Sequence, residues 1–138
     1  MDYSERLKKI FQENGLKLTP QRLAVFGILN GNLSHPTADD VFNEIKKDYP
    51  TMSFTTVYNI LKSIKKVGGL RELSVDVQCK HFDPDTSNHH HVMCTKCNKI
   101  IDVVKDYKSA LQLPKEVTES FDIKSFQVNF YGRCLDCR

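Results

Sequence analysis

Apolar residues recur at helical spacing through the first half of the chain and alternate with polar ones through much of the second. From residue 3 to 14, Leu7, Ile10 and Phe11 mark one face of a helix, and Asn14-Gly15 supplies the residue types that close a helix in the left-handed conformation. Thr19-Pro20 then offers an N-cap followed by proline at the first helical position. A second helix is expected, burying Leu23, Val25, Phe26 and Leu29 before Asn30-Gly31. A third opens at Thr37-Ala38-Asp39-Asp40, an oxygen cap with an acid three residues on, and buries Ala38, Val41, Phe42 and Ile45 up to Tyr49-Pro50. Ser53 can cap a fourth, whose core positions Val57, Leu61 and Ile64 follow the i, i+4, i+7 rule until Gly68-Gly69 stops it. Thr56, Asn59, Lys62 and Lys66 then lie on its other faces.

Beyond the glycines, "LRELSV" and "VQCKHF" are short alternating runs separated near Asp76, which signals a hairpin. Three helices, a basic fourth and a hairpin predict a winged helix-turn-helix. Past Asp83-Pro84-Asp85 the texture changes: "HHHVMC", "KIIDVV", a helical piece within residues 107–121 and "KSFQVNFYG" predict strand, strand, helix, strand. The expected class is therefore α+β, with a winged-helix domain at 1–84, a smaller α/β domain at 85–138, and a short linker over residues 84–88.

Composition narrows the setting. With 40% apolar and 27% charged residues in 138, disordered and collagen-like classes are excluded, and one respectable core or two small ones can be buried. No run approaches the roughly 20 apolar residues that span a bilayer, and "MDYSERLKKIFQENG" is a charged amphipathic pattern rather than a signal peptide. A cytoplasmic protein with no membrane partner is expected. The net charge of +3 comes entirely from residues 1–80, with 12 basic and 9 acidic side chains, whereas residues 81–138 hold 8 of each. Residues 53–71 carry Lys62, Lys65, Lys66 and Arg71 and no acid, which fits either a footprint for phosphates or a solvated helix face.

Candidate chemistry centres on metal ligands. Of five cysteines, four form two Cys-x2-Cys pairs, Cys94/Cys97 and Cys134/Cys137, with 36 residues between the pairs. In a reducing compartment, two such knuckles near strand ends supply the four thiolates of a structural Zn2+ site. A thioredoxin-like redox pair would open a helix after a strand and would not come in twos. Zinc here would tie the last strand to the first hairpin of a domain too small to hold itself easily.

A second ligand set overlaps the first. If residues 95–98 form a four-residue turn, the hairpin pairs Cys94 with Lys99 and His91 with Asp102, side by side at about 5 Å between Cβ atoms. His89 shares the face of His91, while His90 points the other way. Two imidazoles and a carboxylate thus converge, a nitrogen and oxygen set suited to iron(II), manganese or zinc rather than copper(I). Asp83 and His35 are further candidate ligands, although spacing alone does not bring His35 here. His90 and His81 are expected to face outward or to stand behind the ligands, and Cys79, in the hairpin, to be a small buried residue.

The series Thr19-Pro20-Gln21-Arg22, His35-Pro36-Thr37-Ala38-Asp39-Asp40, Ser53-x2-Thr56-Val57-Tyr58-x2-Leu61, His89-x-His91-x2-Cys94-x2-Cys97 and Cys134-x2-Cys137 resembles the ferric uptake regulator family over nearly the whole chain. The resemblance implies a metal-responsive repressor rather than an enzyme: a homodimer with an N-terminal DNA-binding domain and a C-terminal dimerisation domain. It implies that Cys94, Cys97, Cys134 and Cys137 hold structural zinc. It also implies that His35, Asp83, His89, His91 and Asp102 form a regulatory Fe2+ or Mn2+ site between the domains. The iron-uptake branch typically has glutamate at the positions of Asp83 and Asp102, so aspartate at both resembles the peroxide-sensing branch, in which iron-catalysed oxidation strikes ligand histidines matched here by His35 and His89. The zinc-uptake branch usually engages a cysteine in its sensing site, a role open to Cys79. His81 stands where many relatives carry a basic, non-ligating residue.

In such a dimer the fourth helices would enter successive major grooves of a pseudo-palindromic double-stranded operator. Thr55, Thr56, Tyr58, Asn59 and Lys62 are candidates for base and phosphate contacts, and Arg22, Lys65 and Lys66 for phosphates. The rival classes are an iron or zinc uptake regulator, a metalloenzyme and a zinc-stapled interaction module. The metalloenzyme lacks a His-Glu-x-x-His helix or poised general base and would leave the basic helix idle.

Overall fold

The computed structural model describes residues 1–76 and 78–138. Val77, with which the second hairpin run begins, lies outside the described residues. The chain divides into two compact units, Met1–Thr86 and Ser87–Arg138.

The first unit contains α1 (Tyr3–Glu13), α2 (Pro20–Leu29), α3 (Ala38–Ile45) and α4 (Phe54–Lys66), followed by β1 (Arg71–Leu73) and β2 (His81–Asp83). Each of these four helices starts on its own cap: Asp2, Thr19, Thr37 and Ser53 each accept a hydrogen bond from the N–H three residues on. Asp2 with Glu5 and Thr37 with Asp40 complete reciprocal capping boxes. Gly15, Gly31 and Gly68 lie beyond the helix ends at positive φ, where only glycine avoids a steric cost. The helices close over a core built around Leu7, Phe11, Val25, Phe26, Leu29, Val41, Ile45, Val57, Leu61 and Ile64. Phe11 meets Phe26 edge to face at 4.9 Å. Leu23, expected in the buried stripe, is exposed instead, because α2 buries the side marked by Val25, Phe26 and Leu29.

The wing is shorter than the alternating runs suggest. Only three residue pairs join β1 and β2 antiparallel, Arg71 to Asp83 through Leu73 to His81. It is anchored twice: the Phe82 N–H donates to the Pro36 carbonyl at 2.8 Å, and His81 forms a β-bridge with Thr37. The loop before α3 is thereby fastened to β2. The hydroxyl of Tyr3 donates to the Gly69 carbonyl at 2.7 Å, closing α1 onto the turn that follows α4.

The second unit contains β3 (His90–Cys94), β4 (Ile100–Val103), α5 (Lys115–Ser120), β5 (Asn129–Gly132) and a terminal 3-10 turn, Leu135–Cys137. The strand order is β4-β3-β5, with β4 antiparallel and β5 parallel to β3. The expected last strand over residues 124–132 is paired only at its end, and the helix within 107–121 is confined to six residues. Element order nevertheless follows the sequence reading, and the whole is the expected α+β, winged-helix architecture.

Candidate metal centres

The parallel pairing of β5 with β3 sets Gly132 beside Cys94 and so delivers Cys134 and the 3-10 turn carrying Cys137 to the end of the first hairpin. The four Sγ atoms of Cys94, Cys97, Cys134 and Cys137 lie within 4.8 Å of one another. Cys97 and Cys134 are 3.9 Å apart, against the edge of about 3.8 Å that a tetrahedron of Zn–S bonds of about 2.3 Å requires. Backbone N–H groups of Cys134 and Cys97 donate to the Cys94 sulfur at 3.4 and 3.5 Å. With a further donor at Lys96 they pull its thiol down to about 5. Hydrogen bonding with Cys134, with burial, pushes Cys137 up to about 12. Four thiols in this space do not all ionise unaided; a divalent cation is the group that makes all four thiolates compatible.

The other cluster in this unit grows from the hairpin register. Cys94 N–H donates to the Lys99 carbonyl at 2.9 Å, Asn98 turns the chain at φ 62°, and His91 pairs with Asp102, as the turn length predicts. The Nε2 atoms of His89 and His91 stand 3.2 and 3.3 Å from the same Asp102 oxygen. His89 Nδ1 lies 2.8 Å from the Ser87 carbonyl, so the Nδ1–H donates there and Nε2 is the ring atom turned to the carboxylate. His91 Nδ1 is 3.1 Å from the Gln127 side-chain amide, a partner with no signature in the sequence.

In the first unit a smaller group forms. His35 Nε2 stands 3.6 Å from Asp83 Oδ2, and both side chains are buried. What brings them together is the fastening of the 35–37 loop to β2, a non-local contact that spacing does not reveal. Of the two alternatives expected for His90 and His81, facing outward is the one that fails. His90 is not outward-facing. It is 2% exposed, stacked on Phe126 and edge-on to Tyr107, and its Nδ1 accepts the Val128 N–H at 3.0 Å. His81 is buried too, with Nδ1 2.7 Å from the His35 carbonyl and Nε2 3.1 Å from Asp76. Cys79 is half-buried, its thiol pushed up by burial, and joins neither cluster.

On α4, Thr55, Thr56, Asn59, Lys62, Lys65 and Lys66 are exposed. Tyr58 is half-buried, stacked on Phe54 at 6.1 Å, with Lys62 Nζ 5.8 Å from its ring. Two expected phosphate ligands are engaged internally. Lys65 pairs with Glu72 and, together with Lys80, holds that carboxyl below the usual carboxylate range. Arg22 lies over the Phe11 ring at 5.4 Å and donates to the Lys17 carbonyl. Among the described residues, Lys62 and Lys66 carry the unpaired positive charge of this helix.

The model of the ferric uptake regulator family matches residues 13–131. The chain belongs to the ferric uptake regulator family. Its relatives include the peroxide-responsive repressor PerR of Staphylococcus saprophyticus, 36% identical over 92% of this chain and 86% of that protein. Among solved structures, the ferric uptake regulator of Francisella tularensis with iron is similar at a TM-score of 0.76 and 29% identity, covering 89% of this chain and 95% of that one. PerR from Streptococcus pyogenes, whose structure describes peroxide sensing and gene regulation, matches at 0.57 and 29% over 100% and 95%. In this member of the ferric uptake regulator family, the zinc-type cysteine site is complete in one unit. The imidazole–carboxylate ligands are distributed as His89, His91 and Asp102 in one unit and His35 and Asp83 in the other. Among the described residues no helix is long and apolar enough to cross a membrane.

Proposed function

We propose that this chain is a DNA-binding transcriptional repressor whose regulatory ion is held jointly by His35, Asp83, His89, His91 and Asp102, and that it senses hydrogen peroxide. The observation that carries the reading is the donor chemistry of the two groups: each unit gathers buried imidazole and carboxylate around a common point, and neither alone offers a full coordination shell. Five nitrogen and oxygen donors without thiolate suit Fe2+ or Mn2+, while zinc belongs with the four cysteines. Aspartate at both 83 and 102, and the similarity to peroxide-responsive repressors, favour peroxide sensing over plain iron uptake control.

A ligand set divided between two units acts as a clamp. The ion shifts the population toward a DNA-competent arrangement only by as much as it binds that arrangement more tightly. In a homodimer, α4 from each subunit then meets one half-site of a pseudo-palindromic operator, half-sites about one turn apart. Thr55, Thr56, Tyr58, Asn59 and Lys62 face the bases and nearby phosphates. Lys66 meets phosphate directly, whereas Lys65 must leave Glu72 and Arg22 must leave Phe11 to do so. When bound, iron(II) supplies the reduction of peroxide, with the net result that one peroxide oxygen ends on a ligand imidazole and the other leaves as water. His35 and His89 are the imidazoles assigned to that fate, because they match the histidines that are oxidised in the peroxide-sensing branch this sequence resembles. An oxidised His35 or His89 ring would be a poorer donor, so these residues would hold the ion less tightly and the clamp would no longer favour the DNA-competent arrangement.

The test loads the zinc-containing protein with iron(II) or manganese(II), adds peroxide, and follows operator binding and peptide masses. Loss of binding with iron alone, with one added oxygen on the His35 or His89 peptide, is expected. Iron-dependent binding that survives peroxide with unmodified histidines would overturn peroxide sensing in favour of uptake regulation.

A further inference from the structure

His35 occupies a backbone conformation that few side chains tolerate. Its φ is 54°, in the left-handed region, although the residue is not glycine and although Pro36 follows it and favours an extended conformation there. Such a residue persists only where its surroundings over-determine it. One clamp is the hydrogen bond from Phe82 N–H to the Pro36 carbonyl at 2.8 Å. The other is a side chain: the His81 ring, 8% exposed, reaches back so that its Nδ1–H donates to the His35 carbonyl at 2.7 Å. The opposite edge of the ring is held in turn, with Nε2 3.1 Å from an Asp76 oxygen, while the other Asp76 oxygen accepts the Gln78 N–H at 2.9 Å.

We propose that His81 is the positioning residue of the regulatory site: by holding the His35 carbonyl it fixes the left-handed turn from which the His35 imidazole is presented toward Asp83. Asp76 acts one step further back by fixing the plane of the His81 ring. The proposal rests on the reading of His35 as a regulatory-metal ligand. His81 binds no ion itself; both of its ring nitrogens are occupied by protein partners. Without its donor, His35 relaxes toward an extended backbone and its imidazole leaves Asp83.

The two ends of the ring can be tested separately, because an asparagine amide nitrogen takes the place of Nδ1 and a glutamine amide nitrogen that of Nε2. Full-length, zinc-containing protein and the variants His81→Asn, His81→Gln and His35→Ala are titrated with Mn2+, and the visible spectrum of Co2+ at the non-cysteine site reports the ligand field. His81→Asn is expected to bind Mn2+ within about 2-fold of wild type, and His81→Gln about 10-fold or more weaker. The Co2+ spectrum of His81→Gln should move toward that of His35→Ala, with the two His81 variants melting together. Equal Mn2+ affinity of the Asn and Gln variants, while His35→Ala is impaired, overturns the role of His81 and leaves the ligand set intact. Wild-type affinity in His35→Ala overturns the ligand reading, and the positioning role with it.

Discussion

Replacing Cys134 with serine removes one corner of the thiolate tetrahedron and the consequences can be sized. In residues 87–138 the buried apolar side chains among the described residues are Met93, Cys94 and Ile100. At about 1.5–3 kcal/mol each they contribute less than about 10 kcal/mol. A structural zinc contributes about 10–16 kcal/mol. The ion is therefore the largest single stabilising contribution to this unit, and it acts where the chain is least self-supporting, joining β5 to β3 across a long excursion. Among the described residues the first unit has a core of 14 buried residues and a cap on each of its four helices, none of which depends on zinc. Hydrogen exchange of Cys134→Ser, followed amide by amide, should show β3, β4 and β5 exchanging nearly as an unfolded chain does. The amides of α1, α2, α3 and α4 should keep their protection. Protected β3 and β5 amides in zinc-free protein would refute the argument.

Other consequences are as direct. The double change Lys62→Glu and Lys66→Glu should weaken operator binding and flatten its salt dependence, by about 0.9 in the log–log slope for each phosphate that is no longer neutralised, with thermal stability unchanged because both side chains are exposed. Gly69→Ala places a Cβ 2.4 Å from Leu7 Cδ2 and 3.1 Å from Ile64 Cγ2, both in the packed core, so urea unfolding should show a loss of about 1–3 kcal/mol. Glu72 has its carboxyl held down, first by Lys65. The stability this lends is present above its unfolded value of about 4.3 and fades as pH falls through the lower folded value. The stability difference between wild type and Glu72→Gln should accordingly shrink from pH 6 toward acid; a gap that stays constant would contradict the pairing.

The features legible in the sequence are those with local causes. Thr19-Pro20, Thr37 with Asp40, and Ser53 announce helix starts because a cap is satisfied within three residues. The pairing of His91 with Asp102 follows from turn length alone, since a hairpin register is fixed by its loop. The features that escape the sequence are non-local. Nothing near residues 129–132 signals that β5 lies parallel to β3, although this pairing is what gathers the cysteines. Alternation turns His90 away from His89 and His91, as found, but cannot show that Tyr107 and Phe126, far along the chain, cover that face. Likewise charge counting marks Lys65 as a free cation, when β1 brings Glu72 to it. The meeting of His35 with Asp83 depends on the Phe82–Pro36 hydrogen bond, which has no sequence signal.

The central claim, that one ion gripped by ligands from both units sets DNA competence, is tested most directly by operator affinity measured against Mn2+ occupancy with the cysteine zinc retained. The account predicts that affinity rises in step with one ion per chain, that operator DNA tightens Mn2+ by the same factor, and that His35→Ala and His89→Ala abolish the response alike. Operator affinity indifferent to chelation of the non-cysteine ion would contradict it.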